Sequence, residues 1–227
     1  MILFVNVQTT GLEDRDRVCS IGVVSEDDKF YEIVNEGKKI PPSASSINHI
    51  TNEMLKGKAK LKDTQVYEFL QKHNSASTIF VGHNVGFILE MLHKSGFSFE
   101  GKVIDTLRVT KHLIPECEVF SLQYLRYELK LYKQENRTLI AHNALDDAEV
   151  VKNLYEYLLD YASTDEMIKL SAKNVLIQKF KYGKYANQYI EEIALSDRGY
   201  LEWMLENVLD LDEDLRYSIT YFLQGVS

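Results

Sequence analysis

Apolar residues arrive in short blocks over the first third of the chain and in helical spacing over much of the rest. Ile2–Val7 is an apolar run broken by Asn6, Val18–Val24 is a second, and Phe30–Val34 alternates apolar with polar. Runs of this length read as strands, and Gly11 and the acidic tip Glu26-Asp27-Asp28 punctuate them, which predicts a three-stranded antiparallel meander. Pro41-Pro42-Ser43 reads as a loop, Thr51 as the cap of a short helix, and Thr64–Lys72 has helical spacing. Thr78–Gly82 reads as a buried strand, Asn84–His93 as the helix after it, and Val103–Asp105 as a further strand. A helical stretch runs through Leu113 and another starts from Ser121, an N-cap type. Ala144–Tyr161 is a long amphipathic helix with Val150, Leu154, Leu158 and Tyr161 on one face. A meander followed by alternating helices and strands predicts an α/β domain, a mixed sheet flanked by helices.

Ser163-Thr164-Asp165-Glu166 matches a capping box, so a new helix starts there and the domain boundary is expected near residue 162. That leaves 1–162 as the main domain and 163–227 as a small α+β unit. Its expected strand is Val175–Tyr182, followed by helical runs Tyr189–Ala194, Tyr200–Leu205 and Asp214–Leu223. There is no internal repeat and no low-complexity tract.

Composition adds constraints. The chain has 227 residues, 45% hydrophobic and 26% charged, with 3 prolines, the profile of a soluble globular protein. No apolar run approaches the ~20 residues of a membrane span, and Ile2–Val7 has neither the length nor the basic flank of a signal peptide. A cytoplasmic protein with no membrane partner is expected. Cys19 and Cys117 follow no metal-ligand spacing and read as reduced packing residues. The net charge of −8 argues against gripping a polynucleotide over a large surface, although local patches can still do so.

Several short blocks carry the candidate chemistry. They are Asn6-Val7-Gln8-Thr9-Thr10-Gly11, Ile40-Pro41-Pro42 with Ile47-Asn48-His49-Ile50-Thr51, Val81-Gly82-His83-Asn84-Val85-Gly86-Phe87-Ile88, Ile104-Asp105-Thr106-Leu107 with Ser121-Leu122 and Leu125, and His142-Asn143-Ala144-Leu145-Asp146-Asp147. In this order they resemble the DnaQ-like, DEDDh-type 3′–5′ exonucleases over about residues 1–162. The resemblance implies a ribonuclease-H-like fold. It also implies two divalent ions, Mg or Mn, held by four carboxylates, with a histidine as base. Paired hard cations ~3.5–4 Å apart activate water and stabilise the leaving oxygen, and a histidine titrating near neutrality can take the water's proton.

Carried onto this chain, the metal positions are Asn6, Gln8, Ile88 and Asp147, and the base is His142. Only Asp147 keeps its carboxylate. A millimolar magnesium site is worth only ~4 kcal/mol, whereas one carboxylate's attraction to a divalent ion is several kcal/mol even at an effective dielectric of about 20. Mg or Mn binding is therefore expected to be weak or absent. Glu90 and Asp146 are poorly placed as substitutes, because each points away from the lost position on its helix. Asn6 and Gln8 in an apolar strand imply water or a hydrogen-bonding partner. His83 reads as an organiser of its loop. The resemblance also puts Thr9, Thr10 and Leu12 against the terminal nucleotide, and His49 stands where the family favours Gly.

Residues 177–217 resemble the C-terminal region of exodeoxyribonuclease X-like proteins, through Phe180, Gly183-Lys184-Tyr185, Glu191-Glu192-Ile193, Asp197, Gly199-Tyr200-Leu201, Trp203-Met204-Leu205, Asp212 and Asp214-Leu215. Lys179-Phe180-Lys181-Tyr182 fits a half-buried strand with a lysine face, or a strip that tracks a nucleic-acid strand while stacking its bases. Tyr200 and Trp203 read as core. Three functions stay open on these residues. One is an impaired exonuclease-family protein that accepts a single-stranded nucleic-acid 3′ end. Another is an active 3′–5′ exonuclease seen as an inactivated variant. The last is an interaction module of a replication or repair assembly.

Overall fold

The computed structural model describes residues 1–225. Strands β1 (Ile2–Thr9), β2 (Val18–Val24) and β3 (Lys29–Ile33) form the antiparallel meander. Helices α1 (Pro42–Asn48) and α2 (Gln65–Lys72) follow. Then come β4 (Ile79–Gly82), α3 (Val85–Lys94), β5 (Lys102–Asp105), α4 (Thr106–Leu113), α5 (Leu122–Glu128), α6 (Ala144–Leu158) and α7 (Thr164–Ala172). The sheet order is β3-β2-β1-β4-β5, with β4 and β5 parallel to β1. It is the mixed, helix-flanked sheet of a ribonuclease-H-like domain. β2 is buried along its whole length and β1 nearly so, which explains their apolar runs.

The β1–β2 register shifts between Gln8 and Thr9, where β1 leaves the sheet. α6 lies across β1 and β2, and Gly22 permits that approach. A Cβ at Gly22 would sit 2.2 Å from the Ala144 carbonyl oxygen and 2.3 Å from the Leu145 nitrogen. Gly22→Ala is therefore expected to cost at least ~2 kcal/mol by pushing the start of α6 off the sheet. A urea titration against wild type measures this.

Several expectations change. Residues 52–57 form successive turns rather than the short helix expected after Thr51. α1 starts inside the predicted loop, because Pro42 at a first helical position has the right φ and needs no N–H partner. α6 ends at Leu158, so Tyr161 is not on its buried face but exposed beside Tyr157. The compact units are 1–171 and 172–227 rather than dividing near 162, since α7 buries Met167 and Leu170 in the core of the first unit.

The second unit is α8 (Ile190–Ser196), α9 (Arg198–Asn207) and α10 (Glu213–Gly225) around Ile193, Leu201, Ile219 and Phe222. The expected strand Val175–Tyr182 contributes one antiparallel bridge, Lys179 to Tyr189, and no longer strand pairing among the described residues. Its extended segment is tied to α10 instead: Val175 N–H donates to Asp214 Oδ1 (2.9 Å) and Ile177 N–H to Ser218 Oγ (2.7 Å). The unit is thus more helical than α+β.

Candidate active site

β1 brings Asn6 and Gln8 to the end of the sheet where α6 starts. Asn143 caps α6, accepting from Leu145 and Asp146 N–H, and so fixes the first turn that carries Asp147. Asp147 is 4% exposed. Its Oδ2 accepts from Gln8 Nε2 at 3.0 Å, and Gln8 Nε2 also donates to Asn6 Oδ1 at 3.1 Å. Its Oδ1 accepts from Gln123 Nε2 at 2.6 Å and from His142 N–H at 3.2 Å. The partner that Gln8 required is therefore Asp147, and the partner of Asn6 is Gln8.

Gln123 was not legible as a site residue. Its orientation is set by Arg126, whose Nη1 donates to Gln123 Oε1 at 3.1 Å. A guanidinium can only donate, so the Gln123 oxygen faces Arg126 and its NH₂ faces Asp147. Arg126 is in turn held by both oxygens of Glu135, each at 2.6 Å, and by the Leu139 carbonyl. Asp147 thus faces a side-chain amide N–H on each of its oxygens.

Ile88 is 2% exposed and packs in the core, with its Cδ1 only 2.8 Å from where a Cβ on Gly82 would lie. Neither suggested substitute carboxylate is available. Glu90 pairs with Lys94 (2.7 Å), and Asp146 is engaged by Arg137 (2.5 Å) and Ile140 N–H (2.6 Å). Among the described residues no group of three or more His, Cys, Asp or Glu side chains is placed to hold a metal ion. The donor set does not fit a pair of Mg or Mn ions: it offers one carboxylate, already hydrogen-bonded, and two amides with one NH₂ turned inward.

His142 sits in the left-handed region (φ 62°) immediately before Asn143, the cap of α6, and is exposed. His83 hydrogen-bonds Thr106 and the Phe120 carbonyl at 3.0 and 2.7 Å, and burial lowers its pKa, as suits a loop organiser. His49 caps α1 in the left-handed conformation (φ 59°), the conformation that favours glycine there.

Burial pushes Asp147 up to about 6, against the nearby His142 and the Gln123 hydrogen bond, which favour its charged form. In the unfolded chain it ionises near 3.9. Between these values the native state holds a proton that the unfolded state lacks. The group's contribution to stability is complete below about pH 4 and disappears as pH rises through 6, worth roughly 3 kcal/mol. His83, held neutral, acts with opposite sign below about 6.5. The Asp147 effect is therefore read from wild type minus Asp147→Asn in urea titrations at pH 4.5 and 7. Wild type should gain relative to the variant at the lower pH.

A cleft of about 1050 Å³ opens beside Gln8, lined by Thr9, Leu12, Lys38, Lys39, Asn48 and Phe87 among others. Leu12 is 82% exposed at its mouth. Thr9 and Thr10 are buried, and their hydroxyls are engaged inside the turn, by the Gly11 carbonyl (2.6 Å) and Asp16 (2.8 Å). The Thr10 hydroxyl is thus placed to shape the turn rather than to meet a ligand. Asn48 Nδ2 donates to the Thr9 carbonyl and ties α1 to the same edge.

Residues 7–155 match the Exonuclease family and residues 180–208 the Exodeoxyribonuclease X-like C-terminal family. Exodeoxyribonuclease 10 of Escherichia coli (strain K12) is 25% identical, over 99% of this chain and 100% of that protein. DNA polymerase III subunit epsilon of Treponema pallidum (strain Nichols) is 30% identical, over 68% of this chain and 74% of that protein. The fold is shared with the structure of Exonuclease X in complex with 5′ overhanging duplex DNA, at TM-score 0.62 and 22% identity, over 76% of this chain and 100% of that one. The chain belongs to the DnaQ-like Exonuclease family, with an exodeoxyribonuclease X-like C-terminal unit.

Proposed function

We propose that this family member receives a nucleic-acid 3′ end in the cleft beside β1 without cleaving it at an appreciable rate. The observation that carries the reading is the hydrogen-bonding of Asp147 by Gln8 and Gln123, with Ile88 buried at the remaining metal position. With cations excluded, His142 has no metal-bound water to deprotonate and cannot act as base in the family's manner. Binding falls to the cleft: Lys38, Lys39 and Arg15 supply positive charge for phosphates, and Leu12 and Phe87 supply apolar surface for a base. Thr9 and Thr10 shape the turn that presents Leu12. Within this reading the protein is cytoplasmic, where its two free cysteines stay reduced. No helix among the described residues is long and apolar enough to cross a membrane.

The test is mononucleotide release from a 3′-labelled single strand with Mg²⁺ or Mn²⁺. The reading expects release at the level of an Asp147→Ala control. Robust metal-dependent release that this substitution abolishes would favour the active exonuclease instead. The likeness to DNA polymerase III subunit epsilon supports a second reading, a non-catalytic part of a replication or repair assembly. That reading is favoured if the protein co-purifies with such an assembly and shows no affinity for 3′ ends.

A further inference from the structure

We infer that the C-terminal unit carries its own binding surface for single-stranded nucleic acid, centred on Tyr182, Tyr200 and Trp203. In a chain of net charge −8, the stretch Gln178–Ile190 holds Lys179, Lys181 and Lys184 and no acidic residue. It folds back on itself: Phe180 N–H donates to the Gln188 carbonyl (3.1 Å) and Asn187 N–H to the Phe180 carbonyl (2.7 Å). Gly183 (φ 84°) supplies the left-handed turn. Phe180 is the buried anchor, and the lysines and Tyr182 are left outside.

Three aromatic side chains beside this turn, Tyr185, Tyr200 and Trp203, hold one another in place. Tyr185 meets Tyr200 edge-on at 5.1 Å, and Tyr200 stacks on Trp203 at 6.2 Å with 25° between the rings. Asp197 accepts from the Tyr185 hydroxyl and from Lys184 Nζ, the latter at 2.9 Å. Lys184 Nζ lies 4.7 Å from the Tyr185 ring and 5.2 Å from the Tyr200 ring. Yet Tyr182 is 84% exposed and Trp203 53% exposed. The expectation that Trp203 lies in the core is overturned.

The exposed Tyr182 ring and the ordered Tyr200–Trp203 pair beside lysines match the way sequence-tolerant single-strand binders work, by stacking bases while cations track the phosphates. The lysines of this stretch call for an anionic ligand, and the exposed Tyr182 and Trp203 rings beside them favour one with bases to stack over an acidic peptide. Glu202, beside Trp203, is held by Arg198 at 2.8 Å, which limits its repulsion of phosphates. The inference shares with the proposed function only the class of ligand. This surface needs no 3′ end.

Trp203 is the single tryptophan, so emission excited at the red edge, where the tyrosines do not absorb, reports on this surface alone. The experiment titrates the full chain with a circular single-stranded DNA, which has no 3′ end, and with linear oligo(dT) and oligo(U). Trp203 emission should be quenched by the circular strand, with affinity that falls steeply with salt. Tyr182→Ala should weaken that binding roughly 5- to 100-fold, the range of one lost stacking contact. Lys181→Ala should weaken it less and flatten the salt dependence. A Lys38→Ala/Lys39→Ala variant in the cleft should leave quenching by the circle unchanged. Absence of quenching by every strand, or an unchanged affinity in Tyr182→Ala, overturns the inference and leaves the surface to a protein partner. Quenching by the circle without any preference for free 3′ ends upholds it while contradicting the proposed function.

Discussion

Ile88→Asp, the change that would restore a family carboxylate, is expected to destabilise the protein by about 4 kcal/mol or more. The side chain is 2% exposed and lies among Val85, Met91 and Leu92, against Gly82. Replacing it removes buried methyl groups and leaves a gap. It also brings a carboxyl group into apolar surroundings with no cation to offset the lost hydration. Here it would be protonated at neutral pH, so the destabilisation should ease as pH falls. Thermal melts at pH 5 and pH 8 check both the size and the direction. A variant as stable as wild type at pH 8 would mean that solvent or a cation already reaches this position.

Glu135→Ala is expected to cost about 3–5 kcal/mol, the usual penalty for removing one partner of a buried ion pair. The Arg126 and Glu135 side chains are 4% and 5% exposed, and both contacts are 2.6 Å. The loss leaves Arg126 buried with only the Gln123 and Leu139 oxygens. An Arg126→Met/Glu135→Leu double variant should recover most of the stability, since apolar groups of similar volume need no partner. It would also free Gln123 to rotate, because its oxygen would lose the donor that fixes it. Urea titrations of the single and double variants measure the pair. A single-variant cost below ~1 kcal/mol would show that water already solvates these charges.

Much of the fold was legible because local signals and tertiary demand agree. β1, β2, β4 and β5 are short apolar runs that end within about two residues of their expected limits. The stretch Thr64–Lys72, read as helical from its spacing, is α2, with Thr64 as its cap accepting from Tyr67 N–H. The misreadings have separate causes. Val175–Tyr182 has strand-like composition, but its backbone donors are taken by Asp214 and Ser218, which are distant in sequence. The boundary near 162 marked a true helix start, yet whether that helix packs backward or forward depends on Met167 and Leu170 meeting the first core. At the site, Asn6, Gln8 and Asp147, grouped by the sequence, are joined by hydrogen bonds, whereas Ile88 packs in the core. Gln123, Arg126 and Glu135 carry no motif: α5, which holds Gln123 and Arg126, lies alongside α6, a contact only the fold creates, and Glu135 reaches Arg126 from the segment after α5. Trp203 was misjudged because Tyr200 and Trp203 share a helix face, and the i, i+3 spacing alone does not say that the face stays open to solvent.

The central claim is that hydrogen-bonded amides and a buried isoleucine leave Asp147 unable to gather paired divalent ions. Titrating the native chain with Mn²⁺ at pH 7.5 and following the free-ion signal by electron paramagnetic resonance tests it most directly. The account predicts a signal like that of buffer up to millimolar Mn²⁺, unchanged by Asp147→Asn. Two ions per chain bound at micromolar concentration, and lost in Asp147→Asn, would contradict it.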